Sequence, residues 1–458
     1  MRTLLRVLGW DQVRTKTIFT STRQAECLSP ALLETHPELT GPPAGEDVLT
    51  SLPVTISPHE MYRHRLIGAI NVAVFGAIDM GKSSFVKNQY VLRPYSAGYR
   101  IAVFDRKVQE GKGEYVELAE TLGETVLGFS RHGGVRVNPL DPSLAVTSDD
   151  EHVGQDELLL TLAEASNGAP LVDTADHAPR YALSRAHKAA LATAEADGRV
   201  PVLDDVITAL YDPSEDAIPG PREAESGDPI LSTAGVVTKE TLMRWGVSVG
   251  LLLERYTSGD WSGIFNGETR GPDGKPLDLR SRLIVFDTSA IPEASQLLGL
   301  VMSIMSTFVM SQWAAVKGEK ILVLEEAYNA QYMERVTALL RALAKRGRGI
   351  GAAVVTILHH LSDLPEGSPM WSLVRECDLV HIYRQDKADD ARQAIDMFNL
   401  PPWVGESLMT LDRGTQLLLR GKRIAPTYMQ HHRTPLEVRL NNTEGALDEA
   451  GPFTEGVT

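Results

Sequence analysis

Gly76-Ala77-Ile78-Asp79-Met80-Gly81-Lys82-Ser83-Ser84 decides the reading of this chain. A glycine stands four residues ahead of Gly81-Lys82-Ser83, which is the spacing of a phosphate-binding loop. The setting matters more than the spacing. Residues 70–75 (INVAVF) form a continuous apolar run, expected to be a buried strand, and residues 84–91 are expected to begin a helix. Strand, glycine loop and helix in that order let backbone N–H groups converge on phosphate oxygens, and the helix dipole adds attraction. Lys82 is expected to reach the β- and γ-phosphates and Ser83 to ligate Mg²⁺. The candidate nucleotide-binding residues are therefore Gly76, Asp79, Met80, Gly81, Lys82, Ser83 and Ser84, with Lys82 also catalytic. The plain alternative is a tight turn that happens to hold Lys and Ser. Asp79 puts a negative charge beside a phosphate site, and nothing in the sequence accounts for it.

The acidic half of such a site is also present. Residues 321–324 (ILVL) are followed by Glu325-Glu326. Glu325, at the strand end, is expected to contact Mg²⁺, and Glu326 to polarise the attacking water as general base. Away from a phosphate loop, two glutamates after a strand are commonly a solvated strand end. Asp105 and Asp287 close two other expected strands at the same edge, where they could instead cap helices.

Composition bounds the rest. The 458 residues are 43% hydrophobic and 23% charged, as in an ordinary soluble globular protein of two or three domains. A net charge of −15 argues against wrapping nucleic acid by bulk charge but leaves room for a local basic channel. Cys27 and Cys377 are the two cysteines. They make neither a disulfide framework nor a metal site and suit a reducing cytoplasm. The first residues lack a long apolar core and a small-residue cleavage site, so no signal peptide is expected. Residues 296–316 carry no charge over 21 residues, enough to cross a bilayer. Their Ser, Thr and Gln, and their place between two expected strands, favour a helix buried against the sheet. A membrane span there would cut the fold in two.

Five segments follow. Residues 1–65, punctuated by prolines, read as an irregular N-terminal extension. Residues 66–142 form the first part of an α/β core, with a strand at 100–105 and a helix at 115–122. Residues 143–270 lose strand-like runs and read as a helical insertion. Residues 271–435 resume the core with strands at 283–287, 321–325, 352–356, 379–383 and 416–419. Residues 436–458 are expected to be a disordered tail. Apolar strands alternating with helices predict an α/β fold, a mostly parallel sheet covered on both faces.

A transition state at the γ-phosphate also needs positive charge. The segment 333–346 carries an apolar stripe, with Arg341, Lys345, Arg346 and Arg348 off it or just beyond. These are candidate arginine fingers for a neighbouring subunit or contacts to DNA; the alternative is a solvated basic helix end. Arg384 and Arg413 are secondary candidates. His359-His360, after the strand at 352–356, make a poor metal pair. A polar side chain there suits sensing of the γ-phosphate, or is simply a loop histidine.

Taken together, the chain resembles the conjugation and type IV secretion ATPases of the FtsK/HerA branch of RecA-like P-loop NTPases, over about residues 65–425. The resemblance is carried by the glycine loop, by Val103-Phe104-Asp105 with Gly113-Glu114-Tyr115, and by Val137-Asn138-Pro139-Leu140-Asp141. Ile284-Val285-Phe286-Asp287, Leu324-Glu325-Glu326-Ala327, Arg346-Gly347-Arg348-Gly349 and the run from Val354 to Asp363 complete it. It implies a RecA-like P-loop core with an inserted helical subdomain, ATP and Mg²⁺ as cofactors, and a hexameric ring of the chain with itself. It also implies membrane proteins of a transfer apparatus as partners, and a place in the cytoplasm, peripheral at the inner face of the membrane. By motif position, Glu325 stands where an Asp is usual for Mg²⁺ and Glu326 in the catalytic glutamate position. His359 falls near a glutamine that senses γ-phosphate. The implied function is a motor driven by ATP hydrolysis. A DNA translocase or coupling protein, with DNA as partner, and a low-turnover nucleotide-binding assembly module are the alternatives.

Overall fold

The computed structural model describes residues 41–109, 111–130, 134–142, 151–167, 177–219, 237–259, 261–277, 279, 281–292, 296–325, 347–364, 366–422 and 424–440. Its strands are β1 (Pro43–Asp47), β2 (Pro53–Thr55), β3 (Val72–Phe75), β4 (Arg100–Asp105), β5 (Val108–Gln109), β6 (Lys112–Gly113), β7 (Thr125–Gly128), β8 (Leu283–Asp287), β9 (Lys320–Leu324), β10 (Ala352–Leu358), β11 (Leu379–Ile382), β12 (Thr415–Arg420) and β13 (Thr427–His431). Among the described residues, β5 and β6 pair as a small hairpin. The other eleven form one sheet in the order β2-β1-β13-β12-β11-β3-β10-β9-β4-β8-β7.

The block from β11 to β7 is parallel throughout. Its strands are short apolar runs because both faces are covered. Ala73, Phe75, Ala102, Phe104, Leu322 and Leu324 enter the core on one face. Val72, Val74, Ile101, Val103, Ile321 and Val323 enter the core on the other. The alternation is the period-two consequence of the pleat. Beyond β11 the sheet turns antiparallel through β12, β13, β1 and β2.

On the first face lies the helix Gln296–Ala314, packed against the helix Glu151–Asn167. It is long and apolar enough to cross a membrane, but 83% of its most apolar window is buried in the protein. It is the sheet's core helix. Three further helices, Ala178–Ala196, Leu203–Tyr211 and Lys239–Thr257, pack on one another beside it. Gly250 admits the Tyr211 ring, which would stand 2.6 Å from an added Cβ. Asn138 ties this subdomain to the core: its side chain donates to the Pro201 carbonyl at 2.7 Å and accepts the Leu140 N–H at 3.0 Å.

The second face is covered by Val116–Leu122 and by a helical run that starts at Lys82. That run is α-helical over Lys82–Val86, π-helical over Lys87–Leu92 and α-helical again over Arg93–Ser96. Pro94 explains the widened turn. It has no N–H to give to the carbonyl four residues back, and the preceding Arg93 N–H reaches Asn88 O instead. Every residue of the π segment is buried.

Two ends of the chain differ from the sequence reading. Residues 1–65 were expected to be irregular, yet 43–55 supply β1 and β2 and Pro58–Arg63 a helix capped by the Ser57 hydroxyl. Proline lacks a ladder donor, so within sheets it keeps to edge strands or to the first residue of a strand; Pro53 opens the edge strand β2, and Pro43 is the first residue of β1. The stretch expected to be a disordered tail from 436 opens in a short helix, Pro435–Leu440, held by Glu437 against Arg93 at 2.7 Å; residues 441–458 lie outside the described residues.

Candidate active site

The glycine loop leaves the C-terminal end of β3 and enters the helical run at Lys82. Gly76 has φ +145°, and an added Cβ would stand 2.6 Å from Tyr383 Cβ, so the position demands glycine. The neighbouring strand ends hold the loop. The Gly76 N–H donates to His359 O at 3.2 Å, and the Ala77 N–H donates to Arg384 O at 2.7 Å. From the β12 side, the Gly414 N–H donates to Met80 O at 3.1 Å. Gly81 is left-handed, φ +92°, and no side chain caps the helix that follows. The first helical N–H groups therefore face the loop, as an anion site requires.

Lys82 is 4% exposed, and its Nζ donates to the loop's own Gly76 and Ala77 carbonyls at 2.7 and 2.6 Å. Burial, helped by the positive charge of Lys107, pulls its ammonium down to about 8 from the usual 10.5. Glu325, Asp386 and Asp79 oppose that fall. The loop tip is open. Asp79, left-handed at φ 62°, is exposed and accepts from Arg413 Nη2 at 2.8 Å. The Asp79 charge thus has a cationic partner 334 residues along the chain. Arg433 Nη1 donates to Ser84 Oγ at 3.0 Å.

Glu325 follows β9, two strands from β3 with β10 between. His359 follows β10 and stands between the loop and Glu325, in contact with Gly76 through its carbonyl. Asp105 ends β4, in register with Asp287 on β8. Glu325 is buried, and the Tyr115 hydroxyl donates to its Oε1 at 2.9 Å. Desolvation raises its carboxyl well above the usual range, and the charges of Glu114 and Asp105 add to the rise. Asp105 is pushed up to about 7, again first by burial. Its Oδ2 accepts the Tyr115 N–H at 2.6 Å. Glu114 sits in the same pocket and pairs with Lys87 Nζ at 3.1 Å, both side chains nearly fully buried.

The structure thus brings Gly76, Asp79, Met80, Gly81, Lys82, Ser83 and Ser84 together at one sheet edge, with Glu325 and His359 beside them. It does not bring Arg348 there. Arg348 precedes β10, and its Nη1 donates to the Gly68 carbonyl at 3.5 Å, before β3. It lies at the opposite edge of the sheet, one strand length of about 20 Å away. Glu326 and Arg346 lie outside the described residues. Lys87 and Tyr115 had no role assigned from sequence. Lys87 is buried where the helical run passes into its π segment, and its partner Glu114 lies 27 residues on, beyond the reach of a local pattern. The donor set fits a Mg²⁺-nucleotide. A buried ammonium held on loop carbonyls can turn to phosphate, and a buried carboxylate made uncomfortable by its acidic neighbours gains from a cation.

No protein-family model matches the sequence, and no curated protein matches it. Solved structures do. VirB4 of Thermoanaerobacter pseudethanolicus superposes with a TM-score of 0.68 at 19% identity, covering 87% of this chain and 98% of that one. The chain shares the VirB4 fold. The bacterial conjugative coupling protein TrwB, in an unbound form, gives a TM-score of 0.52 at 12% identity over 85% of this chain and 90% of its own. Plasmid coupling protein TrwB in complex with ADP and Mg²⁺ gives 0.51 at 11% identity, over 86% and 90%. The architecture is the expected RecA-like core, a mostly parallel sheet between helices.

Proposed function

We propose that this chain is an ATP-hydrolysing motor of a conjugative transfer or type IV secretion apparatus. The observation that carries the reading is the placement of the 76–84 loop and Glu325 on one edge of the parallel sheet, two strands apart, in a fold shared with VirB4 along nearly its whole length. The loop N–H groups and Lys82 bind the phosphates. Ser83 and Glu325 hold Mg²⁺, which supplies neutralisation of the charge developing on the transferred phosphoryl group. Glu326 accepts the proton of the attacking water, and His359 stands where a γ-phosphate is sensed. Arg348, at the far edge of its own sheet, and Arg346 act as fingers in a neighbour's site. The chain accordingly works as a ring with itself, at the inner face of the membrane with the membrane proteins of the apparatus. TrwB is a coupling protein, which keeps direct action on DNA as the second reading.

The test is steady-state ATP hydrolysis by the wild type beside Lys82→Ala and Glu326→Gln, with and without single- and double-stranded DNA. It is run after sizing the protein with a slowly hydrolysed ATP analogue. The motor reading expects assembly with the analogue and loss of turnover in both variants. Equal turnover in all three proteins would sink it, and stimulation by DNA would move the reading to a translocase.

A further inference from the structure

Gly113-Glu114-Tyr115 is bound into the active site more tightly than a surface hairpin needs. After β4 the chain makes the β5–β6 hairpin and returns beneath the end of its own strand. Gly113 lies so close to Asp105 that a Cβ would stand 2.2 Å from Oδ2. The Tyr115 backbone is fixed by its N–H on the same Oδ2. Glu114 is clamped between Lys87 and Lys107, at 3.1 and 3.6 Å. These contacts leave the phenol of Tyr115 one direction, inward, with no solvent exposure. Its hydroxyl meets Glu325 Oε1 at 2.9 Å.

Glu carries one more rotatable bond than Asp, so a glutamate at a metal position needs something to fix its carboxylate. We propose that Tyr115 is a positioning residue that holds the Glu325 carboxylate ready for Mg²⁺, the Tyr–Glu pair here replacing a shorter, self-orienting aspartate. The proposal rests on the nucleotide-hydrolysing reading above. The Lys87–Glu114 ion pair and the Asp105 carboxylate hold the hairpin that carries the phenol, so the π segment belongs to the same support. A merely structural Tyr115 would satisfy a buried carboxylate and nothing more. It would leave metal affinity unchanged once the protein is folded.

The probe is Mn²⁺ titrated into full-length protein with saturating ADP, followed by the electron paramagnetic resonance signal of free Mn²⁺. ADP binding in the presence of EDTA is measured alongside. Tyr115→Phe keeps the ring and removes the hydrogen bond. It is expected to weaken Mn²⁺ about tenfold or more, the weight of a hydrogen bond to a charged group, while metal-free ADP binding stays within about twofold. In a Glu325→Asp background the phenol is out of reach, and the same change is expected to alter Mn²⁺ affinity less than about twofold. Wild-type Mn²⁺ affinity in Tyr115→Phe, or equal weakening in both backgrounds, would overturn the proposal. If Tyr115→Phe does not fold, Tyr115→Met, which also removes the hydroxyl donor, carries the test, and its binding Mn²⁺ as the wild type does would overturn the proposal. Failure of the wild type to bind ADP would remove the nucleotide reading itself, and this proposal with it.

Discussion

Arg413 grips Asp79 at 2.8 Å across the mouth of the phosphate loop, and both side chains are more than half exposed. The pair explains how a loop meant for phosphate tolerates a carboxylate at its tip. Being exposed, it contributes little to folding, at most about 1 kcal/mol. Its effect falls on the ligand. Arg413→Ala uncovers the Asp79 charge and is expected to weaken nucleotide binding about three- to tenfold at low salt. Asp79→Ala is expected to strengthen it, and the double variant to lie near the wild type. Fluorescent-nucleotide titrations at low and high salt read this directly. Salt-independent effects would mean that Arg413 acts by packing instead.

Lys82 predicts a pH dependence with a definite sign. Its native ammonium titrates near 8, below the usual 10.5, because it is buried. Below about pH 8 both native and unfolded states carry the charge, and the native state bears the full burial cost. As pH rises from 8 towards 10.5 the native state loses its proton first, and that cost is relieved. Lys82→Met should therefore be more stable than the wild type at pH 7, by at most about 3 kcal/mol, with the gap closing by about pH 10. Urea denaturation of both proteins across that range tests it; a constant gap would be inconsistent with a buried charge. Phosphate favours the charged lysine, so wild-type nucleotide affinity is expected to fall as pH passes about 8.

How much of this was legible follows from what sequence neighbours can show. The strands from 72–75 to 352–358 are plain because burial on both faces makes each a continuous apolar run. The long apolar helix at 296–314 is plain because a bilayer and a sheet-covering core make the same demand, and the flanking strands separate them. β1 and β2 were hidden, since short strands that carry proline and glycine show no apolar period. Contacts between distant residues were hidden altogether. Tyr115 meets Glu325 from 210 positions away, and no local pattern announces such a pairing. Gly113-Glu114-Tyr115 stood out as a segment, but its work became visible only with the Asp105 and Glu325 carboxylates around it.

The buried ion pair of Lys87 and Glu114 is expected to behave asymmetrically. Lys87→Met leaves the Glu114 carboxylate buried with only the longer, exposed Lys107 contact at 3.6 Å. The cost should be about 3 kcal/mol, the low end for a broken buried pair, because Lys107 remains. Adding Glu114→Gln removes the stranded charge and should recover most of the loss. Chemical denaturation of the single and double variants measures it. A double variant as unstable as the single one would show that Lys87 contributes through its ammonium over the Tyr115 ring, 5.2 Å from the ring centroid.

Gly45 tests whether the N-terminal strands are integral to the sheet. It pairs with His431 across β1 and β13, and a Cβ there would stand 1.9 Å from Gln430 O, a backbone atom that cannot swing away. Gly45→Ala must therefore push β1 off β13. β1 also carries the Pro43 carbonyl that accepts from Arg93, the residue that anchors the last helix through Glu437. Losing that strand should expose the β13 ladder and loosen Pro435–Leu440 together. Hydrogen exchange is expected to rise across 43–55, 427–431 and 435–440 while β3, β9 and β10 stay protected. Exchange confined to residues 43–55 would mean that the hairpin is an appendage and that Arg93 holds the C-terminal helix without it. Unchanged exchange everywhere would mean that β1 reaches the sheet by another register.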